Sequence, residues 1–259
     1  MIPLKEQELI RQRFAAELSG PVKIDFFTER DLGITIPGKT PCHYCKPTQE
    51  MLQEIAALHD NISLRVHYLN EAPEQARKYG VERPPAIVLR GLNGYFLKYY
   101  GIPAGTEFPI FIEVIVDVSR GELLFSPESV ERLRSVKREL SVRVFVTPTC
   151  PYCPAMMRAA YQMSMANPLI RSEVIEVSEY PDLAERYNVR AVPLTVIDGR
   201  VAIPGMIPEQ ALVEQVVRAA QPGAPESETP AGPTNEVAPR MDAGKAERGK
   251  QRPSGLIIP

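Results

Sequence analysis

Phe145-Val146-Thr147-Pro148-Thr149-Cys150-Pro151-Tyr152-Cys153-Pro154 decides how the chain is read: a β-rich run, a short link, then two cysteines three positions apart. Met156, Met157, Ala160 and Tyr161 follow on the side of Cys153, at helical spacing. A second pair stands upstream as Cys42-His43-Tyr44-Cys45. Adding 108 maps Cys42 onto Cys150, Cys45 onto Cys153, Ala76 onto Ala184, Tyr79 onto Tyr187, Val81 onto Val189 and Pro85 onto Pro193. One ordered offset therefore carries cysteines, a helix surface and a proline, and the two halves are expected to share a fold.

Each half reads in one order. A first strand (Val22 to Phe27; Val142 to Val146) precedes the cysteine pair and its helix, then come a second strand (Ile62 to Leu69; Glu173 to Val177) and a short helix. That helix closes near Tyr79-Gly80 or Tyr187-Asn188, where Gly and Asn tolerate the left-handed closing position. A strand starts after Pro85 or Pro193, a turn follows at Gly91 to Gly94 or Asp198-Gly199, and a Gly/Pro loop leads to a last helix, roughly Glu107 to Val118 or Pro208 to Ala219. The order strand–helix–strand–helix–strand–strand–helix predicts a small mixed sheet with helices on both faces. Extra helices are expected over Glu6 to Leu18 and Glu128 to Glu139. The short join, Gly121 to Pro127, predicts two closely packed domains, 1–120 and 121–220. Residues 221–259 hold seven prolines and no aromatic residue, the composition of a disordered tail.

The chain has 259 residues, 44% apolar and 24% charged, room for two sizeable cores. A net charge of −2 gives no reason to expect nucleic acid or an anionic membrane as partner. No apolar stretch is long enough to span a bilayer, and Met1-Ile2-Pro3-Leu4, followed by Lys5, Glu6 and Glu8, lacks an apolar signal core, so a cytoplasmic location is expected.

In a reducing compartment two such pairs are redox centres or metal ligands. A cysteine placed at a helix N-terminus is favoured as the thiolate, the form that attacks disulfides. Cys42 and Cys150 are thus the expected nucleophiles, and Cys45 and Cys153 the residues that resolve the mixed disulfide. Four thiolates could instead hold one zinc or an iron–sulfur cluster, but 104 residues carrying a whole fold unit separate the pairs. Neither a metal nor a bound cofactor is expected. Pro85 and Pro193 either start strands or are cis prolines leaving a backbone edge open to an extended peptide; their shared spacing from the cysteines favours the second reading. Tyr44 and Tyr152 are expected at the rims beside the nucleophiles, and His43 either tunes Cys42 or faces solvent. His59 and His67 show no ligand pattern, and the Met156, Met157, Met163 and Met165 group reads mostly as helix packing.

With these residues in view, the chain resembles the two-domain, glutaredoxin-like protein disulfide oxidoreductases of thermophilic archaea and bacteria, over about residues 5–220. The likeness rests on the decapeptide around Cys150-Pro151-Tyr152-Cys153, on Gly101-Ile102-Pro103-Ala104-Gly105-Thr106-Glu107-Phe108, on Ile115-Val116-Asp117-Val118-Ser119-Arg120 and on Tyr187-Asn188-Val189-Arg190-Ala191-Val192-Pro193. It implies tandem thioredoxin folds, each a central mixed β-sheet flanked by helices, with cis bonds before Pro85 and Pro193. It also implies dithiol exchange on protein disulfides by reduction, formation or isomerisation, without a bound cofactor, and electrons from a flavin-dependent thioredoxin reductase. The chain departs from the pattern in its Cys-His-Tyr-Cys pair, in Pro84 before Pro85, and in an inserted Arg30 to Lys39 region. Lys23-Ile24-Asp25-Phe26-Phe27-Thr28-Glu29 is similar to the thioredoxin strand whose aspartate lies beneath the disulfide, which would make Asp25 a proton-transfer group for Cys45; the other reading is a solvated strand-edge residue. Alternative functions are a dedicated electron carrier to peroxidases or a ribonucleotide reductase, and a zinc-binding or scaffold protein with degenerate folds.

Overall fold

In β1 (Val22–Thr28), Val22, Ile24 and Phe26 share one core with Met51, Leu52 and Ile55 of the helix α2 (Cys45–Ala56), while Phe27 joins Ala76 and Tyr79 of α3 (Pro73–Tyr79) in a second core. That two-residue alternation places a central strand between two helical layers. Full burial of each such apolar side chain contributes about 1.5–3 kcal/mol, which is what docks α2 on the sheet.

The computed structural model describes residues 2–30, 41–92 and 94–221. The first unit continues with β2 (Ile62–Tyr68), β3 (Ala86–Arg90), β4 (Phe96–Tyr100) and α4 (Glu107–Arg120), preceded by α1 (Leu4–Glu17). The second runs α5 (Pro127–Arg134), β5 (Leu140–Val146), α6 (Cys153–Ala166), β6 (Ile170–Glu176), α7 (Pro181–Arg186), β7 (Leu194–Ile197), β8 (Val201–Pro204) and α8 (Glu209–Ala219). The expected order recurs in both halves. The helix before the second unit ends at Arg134, short of the expected Glu139, and β6 starts at Ile170, before the expected Glu173. Gly80 closes α3 with φ 61°, and Asn188 follows α7 with φ 48°, the left-handed turns read from their identities. Residues 31–39 of the inserted region and 222–259 of the expected tail lie outside the described residues.

The units do more than pack. Each contributes four strands to one eight-stranded sheet of order β2-β1-β3-β4-β6-β5-β7-β8, joined where β4 runs parallel to β6 with Tyr99 opposite Val174. Fusion removes two exposed edges that would otherwise recruit other strands. Across the seam Lys98 pairs with Glu173, which Arg143 of its own unit also holds, at 2.7 Å. Burial would push the Glu173 carboxyl up, but the two cations outweigh it and hold it below its ordinary value. On the other face Arg158 of α6 forms a bidentate pair with Asp117 of α4, at 2.8 and 2.7 Å.

Candidate functional site

Both cysteine pairs sit where a central strand ends and a helix begins. Helix α2 starts at Cys45 and α6 at Cys153, so Cys42 and Cys150 lie just ahead of the first turn and its free N–H groups. Both pairs are closed as disulfides, with Cα separations of 5.4 and 5.5 Å. The second cysteine of each is buried; Cys42 is partly exposed, and Cys150 is 7% exposed. The peptide bonds Pro84-Pro85 and Val192-Pro193 are cis. Val192 comes to the nucleophile, its carbonyl oxygen 3.7 Å from Cys150 Sγ. Tyr44 and Tyr152 are 44% and 58% exposed beside the two pairs, with His43 and Pro151 also exposed.

The two sulfurs meet different surroundings. The Cys153 N–H points at Cys150 Sγ, 3.1 Å away, a donor that favours negative charge on that sulfur. At the first pair the backbone contact is instead with an acid: the Cys42 N–H donates to Glu29 Oε1 at 2.9 Å. A carboxylate there opposes thiolate formation on the same residue.

Asp25 is buried, which removes the strand-edge reading, but its neighbours are not those of a lone acid. Arg90 grips one of its oxygens at 2.8 and 2.6 Å, and His67 Nε2 lies 2.8 Å from the other. His67, which showed no ligand pattern in the sequence, thus joins Arg90 in a hydrogen-bonded cluster on Asp25 and stacks on Phe27. Arg143 holds the same sheet position in the second unit: Asp25 faces Val88 across β1 and β3, and Arg143 faces Val196 across β5 and β7. Met156, Met157, Met163 and Met165 are all buried, as packing required.

The acid near the second pair comes from the first unit. Thr106, at the head of α4, donates its hydroxyl to the carbonyls of Pro148 and Cys150, both at 3.1 Å, and its N–H to Pro148 at 2.9 Å. So close an approach needs Gly105, whose φ is +55° and where a Cβ would collide with the Pro148 carbonyl. Next along is Glu107, fully buried, accepting from the Tyr99 hydroxyl, with its other oxygen unpartnered among the described residues. Burial pushes its carboxyl up to about 8; the Tyr99 hydroxyl pulls the other way, and Glu176 and Glu179 push with burial. Burial likewise lifts Glu179 to about 7, against the Ile102 N–H it accepts at 2.7 Å. In the sequence Glu107 stands inside a motif without a role of its own. The available signal was an acid opening the apolar helix Glu107-Phe108-Pro109-Ile110-Phe111-Ile112.

Chemically, each pair can exchange with an external disulfide through its first sulfur and resolve through its second. Among the described residues no three His, Cys, Asp or Glu side chains converge as metal ligands. No helix of the described residues is long and apolar enough to cross a membrane.

Residues 140–218 match the thioredoxin domain family. The alkyl hydroperoxide reductase component AhpF of Pseudomonas putida is 24% identical over 152 residues, 59% of this chain and 27% of that protein, so the chain spans about a quarter of this relative's length. Among solved structures, a protein disulfide oxidoreductase from Aeropyrum pernix is 28% identical with a TM-score of 0.73, covering 84% of this chain and 93% of the other. The NTD_N/C domain of alkylhydroperoxide reductase AhpF from Enterococcus faecalis superposes with the same TM-score at 22% identity, over 83% of this chain and all of that one, a likeness of fold. Two cysteine pairs at disulfide distance in thioredoxin-like folds, with residues 140–218 matched as a thioredoxin domain, support a dithiol–disulfide oxidoreductase activity.

Proposed function

We propose that the chain is a general protein disulfide oxidoreductase of the two-domain, glutaredoxin-like type, acting in the cytoplasm on protein disulfides through both pairs. The observation that carries this reading is the second site: a Cys150 sulfur met by a helix N–H at 3.1 Å, with the cis-proline loop beside it and Val192 in contact. The thiolate of Cys150 attacks a substrate disulfide, and Cys153 then attacks Cys150 Sγ and releases the reduced substrate. Cys153 is fully buried, so its proton needs a protein acceptor, and Glu107, adjoining the residue that holds the Cys150 carbonyl, takes that role as it ionises towards pH 8. In the first unit Cys42 and Cys45 act in the same order, with Asp25, clamped by Arg90 and His67, as the buried acid of that half. Residues 1–120 and 121–220 are the two domains, and a flavin-dependent thioredoxin reductase is the electron donor.

The likeness to alkyl hydroperoxide reductase components favours a second reading, a dedicated electron carrier to a peroxidase. Steady-state reduction of a disulfide-bonded, unfolded protein by the full chain, with NADPH and a thioredoxin reductase, separates the two. Turnover of unrelated protein disulfides supports the general enzyme; turnover confined to a peroxidase disulfide supports the carrier, and none with any protein disulfide removes both.

A further inference from the structure

Gly101 and Gly205 occupy equivalent places, each donating its N–H to the carbonyl of its unit's cis proline, at 3.0 Å to Pro85 and 2.8 Å to Pro193. What stands on either side of those prolines differs. Val192 is partly exposed, lies against Cys150 Sγ, and has an N–H that no hydrogen bond engages among the described residues. Beyond Gly205, Met206 is 54% exposed. In the first unit Ala86 faces Phe27 just as Leu194 faces Phe145, so Pro84 stands where Val192 does. Pro84 has no N–H to give. Its surroundings are also occupied from across the seam: the Tyr180 hydroxyl donates to the Pro85 carbonyl at 2.8 Å, and the Ile102 N–H is held by Glu179.

We propose that the two sites divide substrates by backbone pairing: the second holds an extended peptide on the Val192 N–H and carbonyl, while the first, with Pro84, exchanges with compact disulfides that need no such pairing. An extended strand can add to the open Val192 edge through two antiparallel hydrogen bonds, placing its own cysteine over Cys150. At Pro84 the donor half of that pair is missing, so an incoming peptide carbonyl would be left without a partner. This rests on the dithiol exchange proposed above, and the step is the same at both pairs. The first thiolate attacks one substrate sulfur, the substrate S–S bond breaks, and the leaving thiolate is protonated. The resolving thiol gives up its proton, attacks the first sulfur and releases the second substrate thiol, so that two electrons and two protons pass to the substrate. A small dithiol in excess restores the pair.

The test uses full chains with one pair replaced by serines, either Cys42 with Cys45 or Cys150 with Cys153. Each is assayed for kcat/KM on an unstructured peptide bearing a mixed disulfide and on a small aromatic disulfide. The peptide-to-small ratio is expected to be about fivefold or more higher at the second pair, the worth of one net backbone hydrogen bond. Pro84→Val should raise the first pair's ratio by a similar factor, chiefly through KM, and Val192→Pro should lower the second's. Equal ratios at the two pairs, or a Pro84→Val ratio that does not move, overturns the proposal even if Val192→Pro fails to fold. Loss of exchange with both disulfides at both pairs instead removes the activity on which it rests.

Discussion

The acids beside the first redox pair come from its own unit, whereas the acid beside the second comes from its neighbour. Glu29 meets the Cys42 backbone, and Asp25, Arg90 and His67 form a closed charge cluster within the first half. The second pair is held by Thr106 and adjoined by Glu107, both carried on the first unit's last loop and helix. A duplicated fold has therefore been fused so that one copy furnishes part of the other's site. Fusion through β4 and β6 makes this possible, because it fixes the Gly101 to Glu107 segment against the link that precedes Cys150.

The largest expected effect tests whether the pairs act separately at all. Cys150→Ser should lower exchange by more than about a thousandfold in a chain whose first pair is already serine, since the serine hydroxyl is a far poorer nucleophile than a thiolate. Retained turnover would mean that sulfur chemistry at the second site is not the source of activity.

Glu107→Gln should slow the second pair about 10- to 100-fold while leaving the first pair within about twofold, the range expected for one lost proton-transfer group. The wild-type rate profile should show an inflection near pH 8, where burial sets the Glu107 carboxyl, and the variant should lose it. The same group makes stability depend on pH. Its pKa is raised by folding, so the folded state holds more protons than the unfolded chain between the ordinary value of 4.5 and about 8. Stability from this group is full below the lower value and falls as pH rises towards the upper one, with a limiting slope of about 1.4 kcal/mol per pH unit. Denaturant melts of Glu107→Gln across that range should show a shallower decline.

Asp25→Asn should cost about 2 kcal/mol in a chemical melt, because it leaves a guanidinium short of its buried counter-charge; partial exposure of Arg90 and His67 keeps the figure below that of a fully buried pair. A change in the first pair's pH–rate profile beyond that loss would sharpen the comparison by giving Asp25 a part in proton transfer. The smallest effect belongs to Glu29. Glu29→Gln keeps an oxygen for the Cys42 N–H and removes the charge, so alkylation of reduced Cys42 at neutral pH should speed up about threefold, with Cys150 unaffected.

Much of this was legible in the chain. The 108-residue offset between Cys42 and Cys150, the left-handed Gly80 and Asn188, and the paired prolines each report local backbone demands that a single residue type satisfies, so they survive reading one position at a time. The seam did not show itself. Lys98 and Glu173 are unremarked charges 75 residues apart, and nothing local says that they face each other across parallel strands. Glu107 was hidden for the same reason: its unusual proton affinity comes from burial and from Glu176 and Glu179, which the other unit supplies. Asp25 was legible only as one of two readings, a buried acid or a solvated strand-edge residue, because its clamp by Arg90 and His67 depends on the register of β1 with β2 and β3.

The most direct measurement is the reduction potential of each cysteine pair alone, with the other pair replaced by serines, equilibrated in glutathione or dithiothreitol buffers. Both pairs are predicted to cycle reversibly between dithiol and disulfide as two-electron couples, and the second, with its helix N–H on Cys150 Sγ, to differ from the first, where Glu29 meets the Cys42 backbone. Two pairs that fail to cycle, or that retain stoichiometric zinc in place of a disulfide, would contradict it.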